Sequence, residues 1–371
     1  MESRTYSIGG HPVRLELEAP WTFKALSPRQ EEMVAVLAAG GDLGIRPVPA
    51  DHADELPVND ALLDKEIMTR ERWDTLGEGE REQFRHDLDL FQYAPFELPE
   101  GETPLFTLTV RSQEPAWLQA LQDPSAPAPE MLKARRVVSV DEVLPCYYGY
   151  RHEGFTIYTY FPRRDRCAGI FVMSGDYRTG IYYPKPGMGP RTTLMQVNTS
   201  LMIQYTFATA GLDTLLLHAS VVRHEGKAGM FFGVSGTGKS THSRLWLEHV
   251  EGTDLMNDDN PIIRFDADGH ATVYGTPWSG KTVCYRRVQA PVRALVRLEQ
   301  APVNAIERLS DPLSAYASVL AAVSTIRWDS AVMDRLVPTL EKAVAGIPCY
   351  KLACRPDREA VLLCQQTIES L

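Results

Sequence analysis

The clearest periodicity lies at residues 192–210 (TTLMQVNTSLMIQYTFATA), where apolar side chains recur at helical spacing and Gly211 follows as a stop. Next, two apolar runs at 215–222 and 228–232 flank the polar turn 223–227, a pattern that predicts a β-hairpin. Residues 239–250 predict a helix, with Leu245, Trp246 and Val250 on one face and Gly252 just past its end. A short apolar run at Leu255 and Met256 then ends in Asn257-Asp258-Asp259. The runs 261–265 and 271–274 flank Asp268-Gly269 and predict a second hairpin. Helices are expected over 311–325 and 330–345, the latter kinked or broken at Pro338. Pro356 is expected to open a terminal helix that runs toward Glu369.

The first half has a different texture. Residues 28–39 (PRQEEMVAVLAA) predict a helix through Met33, Val34 and Leu37. Residues 60–91 are charged, interrupted by Gly77 and Gly79, and weakly helical. Short β-type runs follow at 105–110, 155–161, 169–173 and 180–183, and PSAPAP at 124–129 reads as a surface connection. This half carries neither an internal repeat nor a chemical motif. The chain therefore divides into an α+β region over 1–190, of unassigned role, and an α/β unit over 191–371.

With 371 residues, 44% of them hydrophobic and 23% charged, the chain is long enough for two ordinary globular units. Its formal charge of −10 argues against broad binding to nucleic acid or to an anionic membrane. No apolar run has the length of a membrane span, and the first ten residues lack a signal-peptide core, so a cytoplasmic protein is expected. The cysteines at 146, 167, 284, 349, 354 and 364 form no CxxC and read as plain thiols of a reducing compartment; the alternative is a redox pair of Cys349 and Cys354.

On that acidic background one local motif stands out. GVSGTGKS, Gly233 to Ser240, fits GxxxxGK[ST] and lies between a predicted strand and a predicted helix, the context in which such a loop cradles phosphates. Triphosphate oxygens need converging backbone N–H groups, so side chains must be absent where the phosphates sit. The candidate nucleotide ligands are Gly233, Ser235, Gly236, Thr237, Gly238, Lys239, Ser240 and Thr241. Lys239 is expected to reach the β- and γ-phosphates, and the Ser240 hydroxyl to ligate Mg²⁺. The expected cofactors are ATP and Mg²⁺, with Mn²⁺ as a possible substitute.

Asp258 and Asp259 follow a strand fewer than twenty residues after that lysine, where such enzymes place the carboxylate for the metal. Asp258 is the candidate metal ligand, and either acid can serve as the base; the bland alternative is a turn whose acids cap local N–H groups. His218 in LLLHAS is expected on the strand that precedes the loop, as a base, as a metal-proximal group or simply as a core histidine. The segment from Tyr274 to Lys281 (YGTPWSGK) is a second glycine-bearing loop. Lys281, with Arg286 beyond it, is a candidate anion ligand or else a solvated surface cation.

LLLHASVV, AGMFFGVSGTGKST and NDD, in that order, resemble the C-terminal domain of HPr kinase/phosphorylase and the nucleotide core of phosphoenolpyruvate carboxykinase. The resemblance spans roughly 218–281. It implies a P-loop kinase domain of that type, with Gly236, Gly238, Lys239 and Ser240 on the phosphates and metal, Asp258 and Asp259 as metal ligand and acid/base, and His218 beside them. The GTPWSGK segment belongs to neither pattern. The expected activity is transfer of the γ-phosphoryl group of ATP to a hydroxyl of a protein serine or a small molecule. The alternatives are a carboxykinase-like lyase, which needs arginines converging on a dicarboxylate, and a non-catalytic nucleotide sensor. Among these readings a homo-oligomer is compatible with the family.

Overall fold

The computed structural model describes residues 1–45, 68–120, 146–161, 167–280, 282–324 and 329–370. Lys281 and the 124–129 connection therefore lie outside the described residues.

Alternation in HPVRLEL turns every second side chain inward along His11–Leu17, which pairs antiparallel with Glu2–Ile8. The Gly9-Gly10 turn between them has positive φ at both residues, which suits a two-residue hairpin loop. His11–Leu17 then pairs parallel with Phe106–Val110, and the sheet continues through Thr179–Pro184, Gly169–Met173, Phe155–Phe161 and Cys146–His152. The four strands read from the sequence in this half are all present, each end within a residue of its expected place. The first hairpin and Cys146–His152 complete the sheet. The 60–91 stretch is helical at Arg70–Thr75 and Glu78–His86.

The second sheet is built around the long strand Gln289–Gln300, which runs parallel to both Lys227–Phe232 and Cys349–Cys354. Ala219–His224 pairs antiparallel with Lys227–Phe232 as expected, and Asp254–Asn257 lies on its other side. Ile262–Phe265 and Ala271–Tyr274 form the second hairpin. The helices Lys239–His249 and Arg358–Glu369 cover one face, burying Leu245, Trp246, Val361 and Ile368 against Phe231, Val296 and Leu352. Among the described residues this is a mixed α/β protein with mixed sheets and no closed barrel. No helix among them is long and apolar enough to cross a membrane.

Five expectations change. The apolar run 215–222 is two strands: Thr214–Leu216 pairs with Ile262–Phe265, and Ala219–His224 joins the Lys227–Phe232 hairpin. Between them the backbone N–H of His218 turns aside to donate to Ala322 O at 2.7 Å, so this residue sits in a strand break. Pro338 leaves the Ser330–Gly346 helix continuous, and Pro356 precedes the Asp357 N-cap of the last helix instead of opening it. Cys349 and Cys354 stand at opposite ends of one strand, about 16 Å apart at the usual rise per residue, too far for a disulfide.

The fifth concerns the boundary at residue 190. The Pro190–Thr209 helix lies on the first sheet, where Gln204 Nε2 donates to Thr107 O at 3.2 Å and Tyr177 O at 3.1 Å. One hydrophobic core runs from Tyr6 and Phe106 through Tyr205 to Met230, Leu295 and Cys349. Polar contacts stitch the same seam: Tyr205 Oη to Ile8 O at 3.2 Å, His11 Nε2 with Thr214 Oγ1 at 3.0 Å, and Arg264 Nη1 to Gly9 O at 3.0 Å. The described part of the first 190 residues thus shares one hydrophobic core with the described part of the second half.

Candidate active site at the glycine loop

The Lys227–Phe232 strand ends at Gly233, and the chain needs a glycine there because a Cβ would stand 2.8 Å from Thr237 Oγ1 and 3.0 Å from Leu298 O. Gly238, at φ 98°, is the N-cap of the Lys239–His249 helix and offers no side-chain cap to it. The first N–H groups of that helix, from Lys239 onward, have no carbonyl acceptor in the preceding turn and face the loop. Thr237 closes the loop internally, its Oγ1 donating to Val234 O at 2.8 Å, while Val234, Ser235 and Gly236 stay exposed. Gln300 Nε2, from the end of the central strand, donates to Gly236 O at 3.1 Å and steadies the rim. Thr241 lies half-buried in the first helical turn.

Lys239 is buried, and its ammonium folds back over the loop to donate to Gly233 O at 3.2 Å. Burial pulls its pKa down, against the opposing fields of Asp259 and Asp258. The two acids and the loop lysine, separated in sequence, thus lie within electrostatic reach of one another.

Asp258 is 5% exposed and receives Ser220 Oγ at 2.9 Å on one oxygen and Thr282 Oγ1 at 2.6 Å on the other. Burial pushes its pKa up; the hydroxyls of Thr282, Ser220 and Ser240 offset this only in part, and the neighbouring Asp259 adds to the rise. Ser220 in turn contacts Ser243 Oγ at 2.6 Å, on the helix behind the loop. Among the described residues this buried carboxylate is hydrogen-bonded by hydroxyls and by no cationic side chain, with the Lys239 charge within electrostatic reach. Asp258 and Ser240 form the hard-oxygen pair that Mg²⁺ or Mn²⁺ accepts together with phosphate oxygens, so the residues present fit the metal.

Asp259 faces outward from the same turn. His218 Nδ1 lies 2.9 Å from its Oδ1, and Asn260 Nδ2 donates to its Oδ2 at 2.8 Å. Its backbone N–H donates to Asn257 Oδ1 at 2.9 Å, while Asn257 Nδ2 reaches Thr276 Oγ1 at 3.1 Å. Thr276 then donates to Asn260 O at 2.8 Å and accepts from Trp278 N at 3.1 Å. Thr276 therefore locks the acidic turn to the GTPWSGK segment. Gly280 completes the fit, since a Cβ there would come within 3.2 Å of Asp259 Cβ.

The structure brings together Gly233–Ser240, Lys239, Asp258, Asp259 and His218. It does not bring in Arg286. That side chain is buried and donates from Nε to Gly41 O at 2.8 Å, from Nη1 to Leu255 O, and from Nη2 to Asp254 Oδ2 at 2.7 Å and Gly40 O at 2.6 Å. It is a structural clamp and not an anion ligand, because its donors are spent on the fold. Three contributors went unread in the sequence: Ser220, Thr276 and Thr282. Ser220 carried a signal, a lone hydroxyl in the apolar run LLLHASVV; Thr282 carried none beyond its place after Lys281.

A scan against protein-family models finds no match for this chain, and a search of curated proteins finds no relative.

Proposed function

We propose that this chain is a P-loop phosphotransferase that uses Mg·ATP to phosphorylate a hydroxyl. The observation that carries this reading is the division of labour between adjacent acids: Asp258 turned inward to Ser220, Thr282 and Ser240, and Asp259 turned outward and held by His218. The resemblance of the loop and NDD segments to HPr kinases points the same way. Bound Mg²⁺ supplies charge neutralisation for the phosphates. Asp259 takes the acceptor's proton as its oxygen bonds to the γ-phosphorus and the bond to the ADP oxygen breaks. His218 keeps Asp259 oriented, Asn260 holds its second oxygen, and Lys239 balances charge at the loop.

Two competing readings are weaker. A carboxykinase-like lyase needs arginines converging beside the acids, and Arg286 is committed to Asp254 and to backbone carbonyls. A pure sensor needs no paired, oriented acid. The test is transfer from labelled ATP to an acceptor panel, alongside nucleotide calorimetry. Asp259→Asn should cut transfer by about 10²- to 10⁴-fold with nucleotide affinity retained, while Lys239→Ala should weaken binding itself. Failure of the wild type to take up any nucleotide with magnesium present overturns the proposal. Binding without turnover of any acceptor, equal in wild type and Asp259→Asn, assigns the sensor role instead.

A further inference from the structure

A cavity of about 650 Å³ opens beside Asp259, within the range of small-molecule sites. One wall is the Pro190–Thr209 helix, which presents Arg191, Leu194, Met195, Asn198 and Met202; the other is the loop carrying Trp278 and Gly280. These helix positions recur at i, i+3, i+4, i+7 and i+11, so a single face runs along the cavity for about 16 Å. The turn that carries the acid is tied to this helix at the level of Asn198. Asn260 N donates to Trp278 O at 3.1 Å, Trp278 Nε1 to Tyr93 Oη at 2.8 Å, and Tyr93 Oη to Asn198 Oδ1 at 2.8 Å. Arg191 stands two turns away, roughly 10 Å along the axis.

Among the described lining residues Asp259 is the one anionic group and Arg191 the one cationic group. Arg191 occupies the first turn of its helix, where the macrodipole disfavours a cation and an acid would be stabilising. Local preference therefore does not account for it. Between Arg191 and Asn198 the helix presents Leu194 and Met195, while the Asn198 carbonyl oxygen is already taken by Gln92 Nε2 at 3.1 Å and by Tyr93, and Met202 lies one turn beyond. Leu194 and Met195 suit a hydrocarbon body at that level.

Resting on the phosphotransferase reading, we infer that this groove is the acceptor site and takes an elongated small-molecule hydroxy acid. Its hydroxyl meets Asp259, its apolar body lies on Leu194 and Met195, and its anionic end pairs with Arg191. At roughly 1.2 Å per bond of extended chain, the span corresponds to about eight bonds.

The probe is 8-hydroxyoctanoate, titrated calorimetrically into the full-length protein, with 4-hydroxybutyrate and 1,8-octanediol as controls. The octanoate should bind more tightly than the butyrate. Arg191→Glu, an exposed change that the helix start favours, should weaken it about tenfold or more and leave the diol unchanged. Met195→Trp, also at an exposed position, should weaken both by filling the groove. Equal binding of the long and short acids, or indifference to Arg191→Glu, overturns the inference. So does a serine peptide whose binding Met195→Trp abolishes while the hydroxy acids fail to bind. Because binding is read without nucleotide, the two readings separate. Binding as expected with no transfer from labelled ATP sinks the transferase reading and leaves the groove, whereas transfer to another acceptor unaffected by Met195→Trp sinks the groove alone.

Discussion

The strand Asp254–Asn257 and the turn after it carry a half-buried carboxylate at one end and a buried one at the other, and the two are treated in opposite ways. At the start, burial pushes Asp254 up, but bonds from Arg223 and Arg286 outweigh it and hold the carboxyl below its ordinary range. At the far end Asp258 is buried, takes its described hydrogen bonds from hydroxyls and none from a cationic side chain, and is held above that range. Guanidinium partners supply counter-charge as well as hydrogen bonds; hydroxyls supply only the bonds. The first arrangement completes the fold, and the second leaves a charge for something else to neutralise. The difference separates a structural ion pair from a candidate metal site a few residues along the same chain.

The largest test of this contrast is Arg286→Met. Removing the guanidinium leaves Asp254 with Arg223 as its one described cationic partner and takes a donor from the Gly40, Gly41 and Leu255 carbonyls. A loss of about 3–5 kcal/mol is expected by denaturant titration, the size seen when one partner of a buried pair is deleted. A loss below ~1 kcal/mol would show that the clamp is incidental and that Arg286 is available for ligands after all.

His11 extends the rule to a base. Burial, helped by the nearby Arg264 charge, lowers its pKa from 6.5 to about 4, and its polar partner is the Thr214 hydroxyl. The unfolded chain therefore binds a proton between those values that the folded one refuses. Stability is complete above about pH 6.5 and falls as pH drops toward 4, at about 1.4 kcal/mol per pH unit from this group. His11→Gln keeps a hydrogen-bonding side chain and should flatten that acid limb. Urea titrations from pH 4.5 to 7.5 that give parallel limbs for both proteins would remove His11 from the account.

These tests also show what could be read from the chain and why. The glycine loop, its strand and helix, and the adjacent acids were legible because their chemistry is local: Gly233 to Ser240 is a contiguous motif, and Asn257 to Asn260 is one turn. Gly211 and the apolar periodicity gave the Pro190–Thr209 helix to within two residues at its start. What that helix packs on was not legible, because its partner sheet comes from the other half of the chain. Arg286 was misread for the same reason. Following a glycine-bearing loop it looked like an anion ligand, yet its acceptors at Gly40 and Gly41 lie some 245 residues away in sequence. The groove depends on Gln92, Asn198 and Trp278 meeting across three segments, which no spacing announces. His218 was found, but on a strand it does not occupy, because its neighbours are uniformly apolar and the break comes from the pull of Ala322 O.

Asp258→Asn sharpens the other end of the comparison. The amide can still accept from one hydroxyl and donate to the other, while the unneutralised charge disappears. Without metal or nucleotide the variant should be more stable than wild type by about 1 kcal/mol. It should also lose the extra stabilisation that Mg·ATP gives the wild type. A variant that is less stable in chelator, or one that keeps the magnesium-dependent gain, would mean Asp258 is satisfied as it stands.

The smallest effect is expected at Arg223. Its Nε and Nη2 contact Asp254 at 3.0 and 2.7 Å, a two-pronged geometry like that of a strong pair, but the two side chains are 30% and 24% exposed. Water can replace much of what is lost, and Arg286 remains on the same carboxylate, so Arg223→Ala should cost only about 0.5–1 kcal/mol. Combined with Arg286→Met, the second loss should exceed the first, because Asp254 then has no cation left. A double-mutant cycle reads this directly: coupling well above experimental error shows that both arginines neutralise one charge. Additive losses would mean that Arg286 acts mainly through the carbonyls of Gly40, Gly41 and Leu255. In that case the contrast between the two ends of the strand would rest on backbone anchoring and not on charge.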